Sequence, residues 1–322
     1  MMTDFSSKKK LDLSVAIVFV NYNTSDQIIS CIYSLREERY SKIIVVDNAS
    51  PDDCPECIVE EFPDVVLIKS EKNLGFGEGC NIGKDWVIVN TDCEYIFFLN
   101  PDTLVEPGLL QLLHDGFFSP EVGLVTPRIT MMGDGLDILW YGGGYMNWLT
   151  GSARVPGCGL SAVSKIALED RFVEFASGCA FMIRRSVLEE CGGFDPRYFM
   201  YEEDVELSLR VISYGYKIYY MPKAVVRHLA QGSQGKEVEA VGMFKGRNPK
   251  LPFFVYQTAK NRFLTVFTHG TVLKKGLFLI GFMLWVFRNS FEWVRYKRLD
   301  AYNALFLGIK DFVKYTYVSG KK

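Results

Sequence analysis

At 322 residues, with 48% apolar and 23% charged side chains, the chain is long enough for one large α/β domain with an appendage and too apolar for extended disorder. The net charge of −2 hides a division: residues 1–250 carry 24 basic and 35 acidic side chains, a balance of −11, whereas residues 251–322 carry 12 and 3, a balance of +9. The acidic body argues against a nucleic-acid partner, and the basic tail points to an anionic surface such as a membrane.

The opening MMTDFSSKKK lacks the apolar core of a secretory signal, so residues 1–12 read as a tail and the expected location is the cytoplasm. Of eight cysteines, at 31, 54, 57, 80, 93, 158, 179 and 191, only Cys54-Pro-Glu-Cys57 forms a close pair. No second pair or ligand-spaced histidine accompanies it, so it is read as neither a metal nor a redox site. LSVAIVFV (13–20) is a continuous, largely β-branched run that suits a strand buried on both faces. Residues 24–38 follow with apolar residues at Ile28, Ile29, Ile32 and Leu35, a helical period. KIIVVD (42–47), VVLIKS (65–70) and YIFFLN (95–100) repeat the strand pattern, with helices expected around 53–62 and over 78–89.

Strands alternating with helices predict right-handed crossovers and a parallel sheet, whose ligands bind beyond the carboxyl ends of the strands. The polar residues fall at those ends: Asn21-Tyr-Asn23, Asp47-Asn-Ala-Ser50 and Asn100-Pro-Asp102. A dehydrogenase would place its glycine fingerprint after the first strand, where NYNTSD contains none; the glycines come later, in Asn73-Leu-Gly75-Phe76-Gly77. No phosphate-loop signature occurs either.

A nucleotide-sugar site needs a way to neutralise a diphosphate, and a divalent cation on oxygen ligands is the usual one. Asp102, at a strand tip, is the candidate ligand, with Asn100 beside it placed for ribose or a bound water. Residues 199–210, FMYEEDVELSLR, read as a helix with Val205, Leu209 and Ile212 on one apolar face and with Glu202, Glu203 and Asp204 in its first turn. Three adjacent carboxylates exceed what capping requires, and one of them is a candidate base toward a sugar hydroxyl; Asp204 is preferred to Glu203. His228, one of three histidines, ends a short strand before a polar, glycine-bearing loop (229–235), which makes it a candidate second metal ligand and the loop a candidate lid.

These residues resemble glycosyltransferase family 2, most of all its rhamnosyltransferase-type branch. The matching pieces come in order: VNYN (20–23), VVDNAS (45–50), NLGFGEGCNIG (73–83), LNPDT (99–103), SGCAFMIRR (177–185), GGFDPRYFMYEEDVELSLR (192–210), RHLAQGS (227–233) and KNRF (260–263). The resemblance implies a GT-A fold over 13–235, that is, a Rossmann-like, mostly parallel central sheet with flanking helices. It implies an inverting, metal-dependent transferase using Mg2+ or Mn2+ on Asp102 and His228. Asp47 would read the nucleotide base, with Asn21, Asn23, Asn73, Gly75, Phe76, Gly77, Asn81 and Asn100 also on the donor side. Asp204 would be the base, with Glu203 beside it, and Gly178, Cys179 and Tyr201 would border the acceptor. Asn100 stands where the family often has a first aspartate. Arg262 matches a recurrent Asn-Arg pair to which no role is assigned.

The donor side favours UDP or dTDP, with dTDP-rhamnose suggested by the branch, and the acceptor is expected to be a glycan or lipid-linked glycan. In the region 236–322 the longest apolar run, Gly276 to Phe287, has 12 residues, short of the ~20 that cross a bilayer. Its basic and aromatic flanks predict helices lying in the membrane interface, on the inner face of the cytoplasmic membrane. Two rivals are a sugar-nucleotide pyrophosphorylase, which would open with a glycine-rich basic loop after the first strand, and an inactive glycan- or nucleotide-binding relative, which would lose the acidic cluster.

Overall fold

The computed structural model describes residues 13–133, 136–229 and 243–319. Four parallel strands, β1 (Val15–Asn21), β2 (Lys42–Asp47), β3 (Val66–Lys69) and β4 (Tyr95–Leu99), stand in the order β3-β2-β1-β4. They are joined by the helices α1 (Ser25–Ser34), α2 (Glu56–Glu61) and α3 (Phe76–Asn90). All seven residues of β1 are buried, as its unbroken apolar run requires of a strand covered on both faces.

The second half of the sheet is not a continuation of the same pattern. β5 (Thr103–Val105), α4 (Leu109–Asp115), β6 (Val122–Gly133) and β7 (Leu136–Tyr141) lead to a small hairpin, β8 (Tyr145–Asn147) with β9 (Ser152–Arg154). Then come α5 (Lys165–Leu168), β10 (Arg171–Val173), β11 (Ala180–Arg184), α6 (Arg185–Cys191), α7 (Glu203–Ser213) and β12 (Lys217–His228). The sheet order is β10-β12-β6-β11-β4-β1-β2-β3, with β5 on β12 and β7 on β6. β6 and β12 are parallel, while β11 is inserted antiparallel between β4 and β6. That insertion positions the site: because Ala180 pairs with Leu99, the residues just before β11 meet the carboxyl end of β4.

Three long helices close the chain: α8 (Leu251–His269), α9 (Val272–Arg295) and α10 (Leu299–Ser319). Phe263 of α8 is their aromatic centre, with ring centroids 4.9 Å from Phe278, 4.9 Å from Phe282 and 5.2 Å from Phe312. On α9 the buried residues Phe278, Gly281, Phe282, Trp285, Asn289 and Trp293 recur at helical spacing and face the protein. Its other side is exposed yet apolar, with Leu277, Ile280, Met283, Leu284, Phe287, Phe291 and Val294 open to the surroundings. The 12-residue limit read from the sequence is corrected here. Arg288 and Asn289 interrupt the apolar run but not the helix, which at 24 residues is long and apolar enough by length and composition to cross a membrane.

Cys54 and Cys57 are paired as a disulfide, their Cα atoms 5.6 Å apart, because the turn of chain that starts α2 brings residues three apart onto one side.

Candidate active site

The carboxyl ends of β1 and β2 are closed by a polar hub. Asn21 at the end of β1 is fully buried; its Nδ2 donates to Asp47 Oδ1 at 3.0 Å and to Asp53 Oδ2 at 2.8 Å, while its Oδ1 accepts from Thr24 Oγ1 at 2.9 Å. Asp53 Oδ2 also accepts from the N–H and hydroxyl of Ser25 at the start of α1. Asp47 accepts from Ser50 Oγ at 2.6 Å. Asn21 therefore shapes this end of the sheet from within and has no side-chain surface to offer a ligand. Asn23, exposed and held at φ 58°, lies at the rim, where its Oδ1 accepts from the Asp52 N–H at 3.1 Å.

The glycine-bearing loop before α3 is held by Asn48, a residue the sequence reading left without a role. Asn48 Nδ2 donates to Asn73 Oδ1 at 3.1 Å and to the Gly75 carbonyl at 3.0 Å, and its Oδ1 accepts from the Leu74 N–H at 3.0 Å. Gly75 has φ +87°, and a Cβ there would strike the Phe199 carbonyl, to which the Phe76 N–H donates at 3.2 Å. The loop is thus tied to the segment preceding the acidic helix. Gly77 follows in the first turn of α3 and packs on Phe194; Asn81 bonds the Phe194 backbone twice, at 2.8 Å each, so it joins α3 to that same segment and stands back from the cleft.

At the end of β4 the Asn100 N–H donates to the Cys179 carbonyl at 2.8 Å. Asp102 Oδ2 lies 3.1 Å from His228 Nε2, both side chains being largely buried. This pair was expected from two distant motifs, and the register Thr103 with His228 between β5 and β12 delivers it. Among the described residues Asn100 Oδ1 and His228 Nδ1 are buried without a hydrogen-bond partner, which leaves the corner room for a further group. A carboxylate oxygen and an imidazole nitrogen this close suit one hard divalent ion. Among the described residues no cluster of three or more His, Cys, Asp or Glu side chains forms a complete cage, so such an ion would take its other ligands from phosphate oxygens and water.

Beside this corner lies the acidic helix start. Asp204 accepts from the Gly178 N–H at 2.7 Å through Oδ2 and from the Val205 N–H at 2.8 Å through Oδ1. A Cβ on Gly178 would lie 3.1 Å from the Phe76 ring and 3.5 Å from Asp204, so Gly178 marks the point where the glycine loop, the turn before β11 and the acidic helix meet. Cys179 is buried beneath that point, its thiol pushed well up first by burial and then by the Asp102, Cys31 and Asp204 charges. It borders the site from below and exposes almost no surface. Glu203 is buried with Oε2 unpartnered, and burial followed by the Asp204 charge raises its carboxyl. Asp204, half-buried, is raised by the same burial against the pull of its backbone N–H partners. Tyr201 packs on Phe253 and Phe254 of α8, and Glu202 pairs with Arg262 at 3.3 Å. Of the loop 229–235, residues 230–235, the candidate lid, lie outside the described residues.

The sequence pattern described as Glycosyl transferase family 2 matches residues 14–192, more than half of the chain. The chain belongs to glycosyl transferase family 2. It is rhamnosyltransferase-like within it. N-acetylglucosaminyl-diphospho-decaprenol L-rhamnosyltransferase of Mycobacterium tuberculosis (strain ATCC 25618 / H37Rv) is 31% identical over 227 residues, 63% of this chain and 71% of that protein. Rhamnosyltransferase WbbL of Escherichia coli (strain K12) is 26% identical over 223 residues, 67% and 83% of the two chains. The structure of S. aureus TarS 1-349 in complex with UDP-GlcNAc superposes with a TM-score of 0.57 at 12% identity, over 93% of this chain and 80% of that one. GalNAc-T7 with UDP, GalNAc and Mn2+ gives 0.57 at 17% identity, over 91% of this chain and 57% of that longer one. The fold of this glycosyltransferase is GT-A.

Burial lifts the Glu202 carboxyl from its ordinary 4.5 to about 7, against the opposing charge and hydrogen bond of Arg262 and with the Asp204 charge adding to it. A carboxyl raised on folding contributes stability that is complete below the unfolded value and is lost as pH rises through the folded one. Stability should therefore fall between about pH 4.5 and 7 through this group. Glu202→Gln, uncharged throughout, should flatten that fall in urea midpoints measured across the window; an unaltered slope would contradict the assignment.

Proposed function

We propose that this glycosyltransferase moves a sugar, with inversion, from a pyrimidine nucleoside-diphosphate sugar to a hydroxyl of a lipid-linked glycan, with Asp204 as the base. dTDP-rhamnose is the favoured donor and a UDP-sugar the next. The observation that carries the reading is the meeting of Phe76, Gly178 and Asp204 beside the Asp102–His228 pair, at the carboxyl ends of the strands. The donor assignment draws on the rhamnosyltransferase activity for which the mycobacterial and E. coli relatives are named and on the UDP-GlcNAc bound by TarS. The acceptor assignment draws on the diphospho-decaprenol named for the first of them.

Asp204 takes the proton of the acceptor hydroxyl as that oxygen bonds to the anomeric carbon, while the bond from that carbon to the diphosphate breaks on the opposite face. The single displacement inverts the configuration. Backbone N–H groups of Gly178 and Val205 aim the carboxylate, and burial keeps it more basic than an aspartate in water. Phe76 walls the site on the donor-loop side, and the buried Glu203 sits behind the base. A Mg2+ or Mn2+ ion on Asp102 and His228 would supply positive charge to the departing diphosphate.

The exposed apolar side of α9, with Lys274 3.9 Å over the Trp148 ring and Lys275 near Phe267, supports docking to an anionic membrane. The acceptor lipid would then be reached without leaving the bilayer.

Asp204→Asn keeps the shape and removes the basicity. Turnover should fall by about 10²–10⁴-fold with nucleotide affinity within about twofold of the parent; an equal loss of nucleotide affinity would make Asp204 a donor contact instead. The protein should sediment with anionic vesicles at low salt, and Ile280→Ser, Met283→Ser and Phe287→Ser combined should leave it in the supernatant. A parent protein that stays in the supernatant at low salt would contradict membrane docking.

A further inference from the structure

The segment that presents Glu203 and Asp204 does not hold its own shape. Tyr201 and Glu202 have φ of 69° and 67°, two consecutive left-handed residues that both carry side chains. Such a conformation persists only where the surroundings impose it. Glu202 occupies the cap position of α7 and makes no side-chain cap bond there. The restraint comes instead from about sixty residues further along the chain, in one turn of α8.

That turn is Lys260-Asn261-Arg262. Asn261 is fully buried, and its Nδ2 donates to two successive carbonyls, Met200 at 2.9 Å and Tyr201 at 2.7 Å. Two acceptors on one side fix which end of the amide faces the loop. Lys260 Nζ, also buried, donates to the Arg197 carbonyl at 2.7 Å. Arg262 reaches Glu202 Oε1 through Nε and the Thr150 carbonyl through Nη1, each at 3.3 Å, with its guanidinium 5.6 Å from the Trp285 ring centre. Successive residues of a helix point about 100° apart. Three in a row can bond residues 197–202 only because that loop wraps around the helix.

The neighbours of this tripeptide on α8, Ala259, Phe263 and Leu264, are apolar and buried in the core. Buried polar groups need partners, and the donated hydrogen bonds of these three go to the loop that ends at the base, Arg262 also reaching Thr150 outside it, while Asn261 Oδ1 is buried with no partner among the described residues.

We propose that Lys260, Asn261 and Arg262 are positioning residues that clamp residues 197–202 and thereby set the direction in which Asp204 faces the cleft. The reading of Asp204 as base underlies the catalytic part of this proposal; the clamp itself does not depend on it. Arg262 serves the loop and is not a ligand of the donor diphosphate. The C-terminal helices then complete the active site and are more than an attachment to it.

The test uses the full chain and the variants Asn261→Ala, Arg262→Gln and Arg262→Lys. Amide hydrogen exchange over 197–204 is read together with UDP and dTDP affinity, and with the kcat and KM of nucleoside diphosphate release from dTDP-rhamnose and UDP-sugars. The expected result is exchange faster by about tenfold or more in that segment for Asn261→Ala and Arg262→Gln. kcat should fall by about tenfold or more, nucleotide affinity should stay within about twofold, and Arg262→Lys should recover part of the loss. Unchanged exchange over 197–204 would overturn the clamp. Nucleotide affinity falling in step with kcat would overturn it too, by making Arg262 a diphosphate contact. Should Asn261→Ala fail to fold, Arg262→Gln, at a half-buried position, decides the question by the same readouts. An active Asp204→Asn enzyme would remove the base assignment while leaving the exchange result to judge the clamp.

Discussion

The hydrogen bond from the Gly178 N–H to Asp204 Oδ2, 2.7 Å long, joins two parts of the chain 26 residues apart, and the bond from the Ala176 N–H to Ser208 Oγ, 3.1 Å, ties the same two parts one helical turn further on. Gly178 stands on the sheet, two residues before β11, and Asp204 on the first turn of α7. Because β11 runs antiparallel beside β4, the same short stretch also receives the Asn100 N–H through the Cys179 carbonyl. The Asp102–His228 corner and Asp204 are thereby referred to one short turn that leads into β11. A Cβ at 178 would crowd the Phe76 ring at 3.1 Å and touch Asp204 at an ordinary 3.5 Å, so a small residue here keeps Phe76 close to the acidic helix start.

Four carboxylates crowd the start of α7, and each is treated differently. Glu206 is pushed up by burial, but hydrogen bonds from His269 and Arg210 outweigh this and leave it below the usual carboxylate range. Glu202 has Arg262; Glu203 makes no ion pair among the described residues, and burial and the Asp204 charge raise its carboxyl against the weaker pull of Lys260. Asp204 is held by backbone N–H groups alone, a partnership that orients the carboxylate without neutralising it. The two left-handed residues before it cost about 1–2 kcal/mol each, a strain the fold offsets through α8.

Much of this was legible in the sequence. The run 13–20 becomes Val15–Asn21, and the helix expected over 78–89 is Phe76–Asn90, since periodicity reports burial and burial decides both elements. Asp102 and His228 could be brought together by motif, Asp102 just beyond the expected strand 95–100 and His228 at the end of β12. The helix expected around 53–62 shortens to Glu56–Glu61, because Asp53 is engaged with Asn21 and Ser25, contacts made to distant residues that leave no periodic trace. Asn48 lay within a recognised motif, yet its grip on the glycine loop depends on where β3 ends. The antiparallel insertion of β11 and the hold of Lys260, Asn261 and Arg262 on the acidic loop are also non-local, and no window of neighbouring residues reports them. The apolar run from Gly276 to Phe287 measured composition where helix length was at issue.

On the proposed function, the corner at Asp102 and His228 receives the diphosphate of a pyrimidine nucleotide. Calorimetric titration of the folded protein with UDP, dTDP, GDP and CDP, with and without Mn2+, tests it most directly, with Asp102→Ala as the paired variant. The account predicts metal-dependent binding of a pyrimidine diphosphate that is weakened at least tenfold in Asp102→Ala. Binding equally strong without metal and in the variant, or no binding of any of the four, would contradict it.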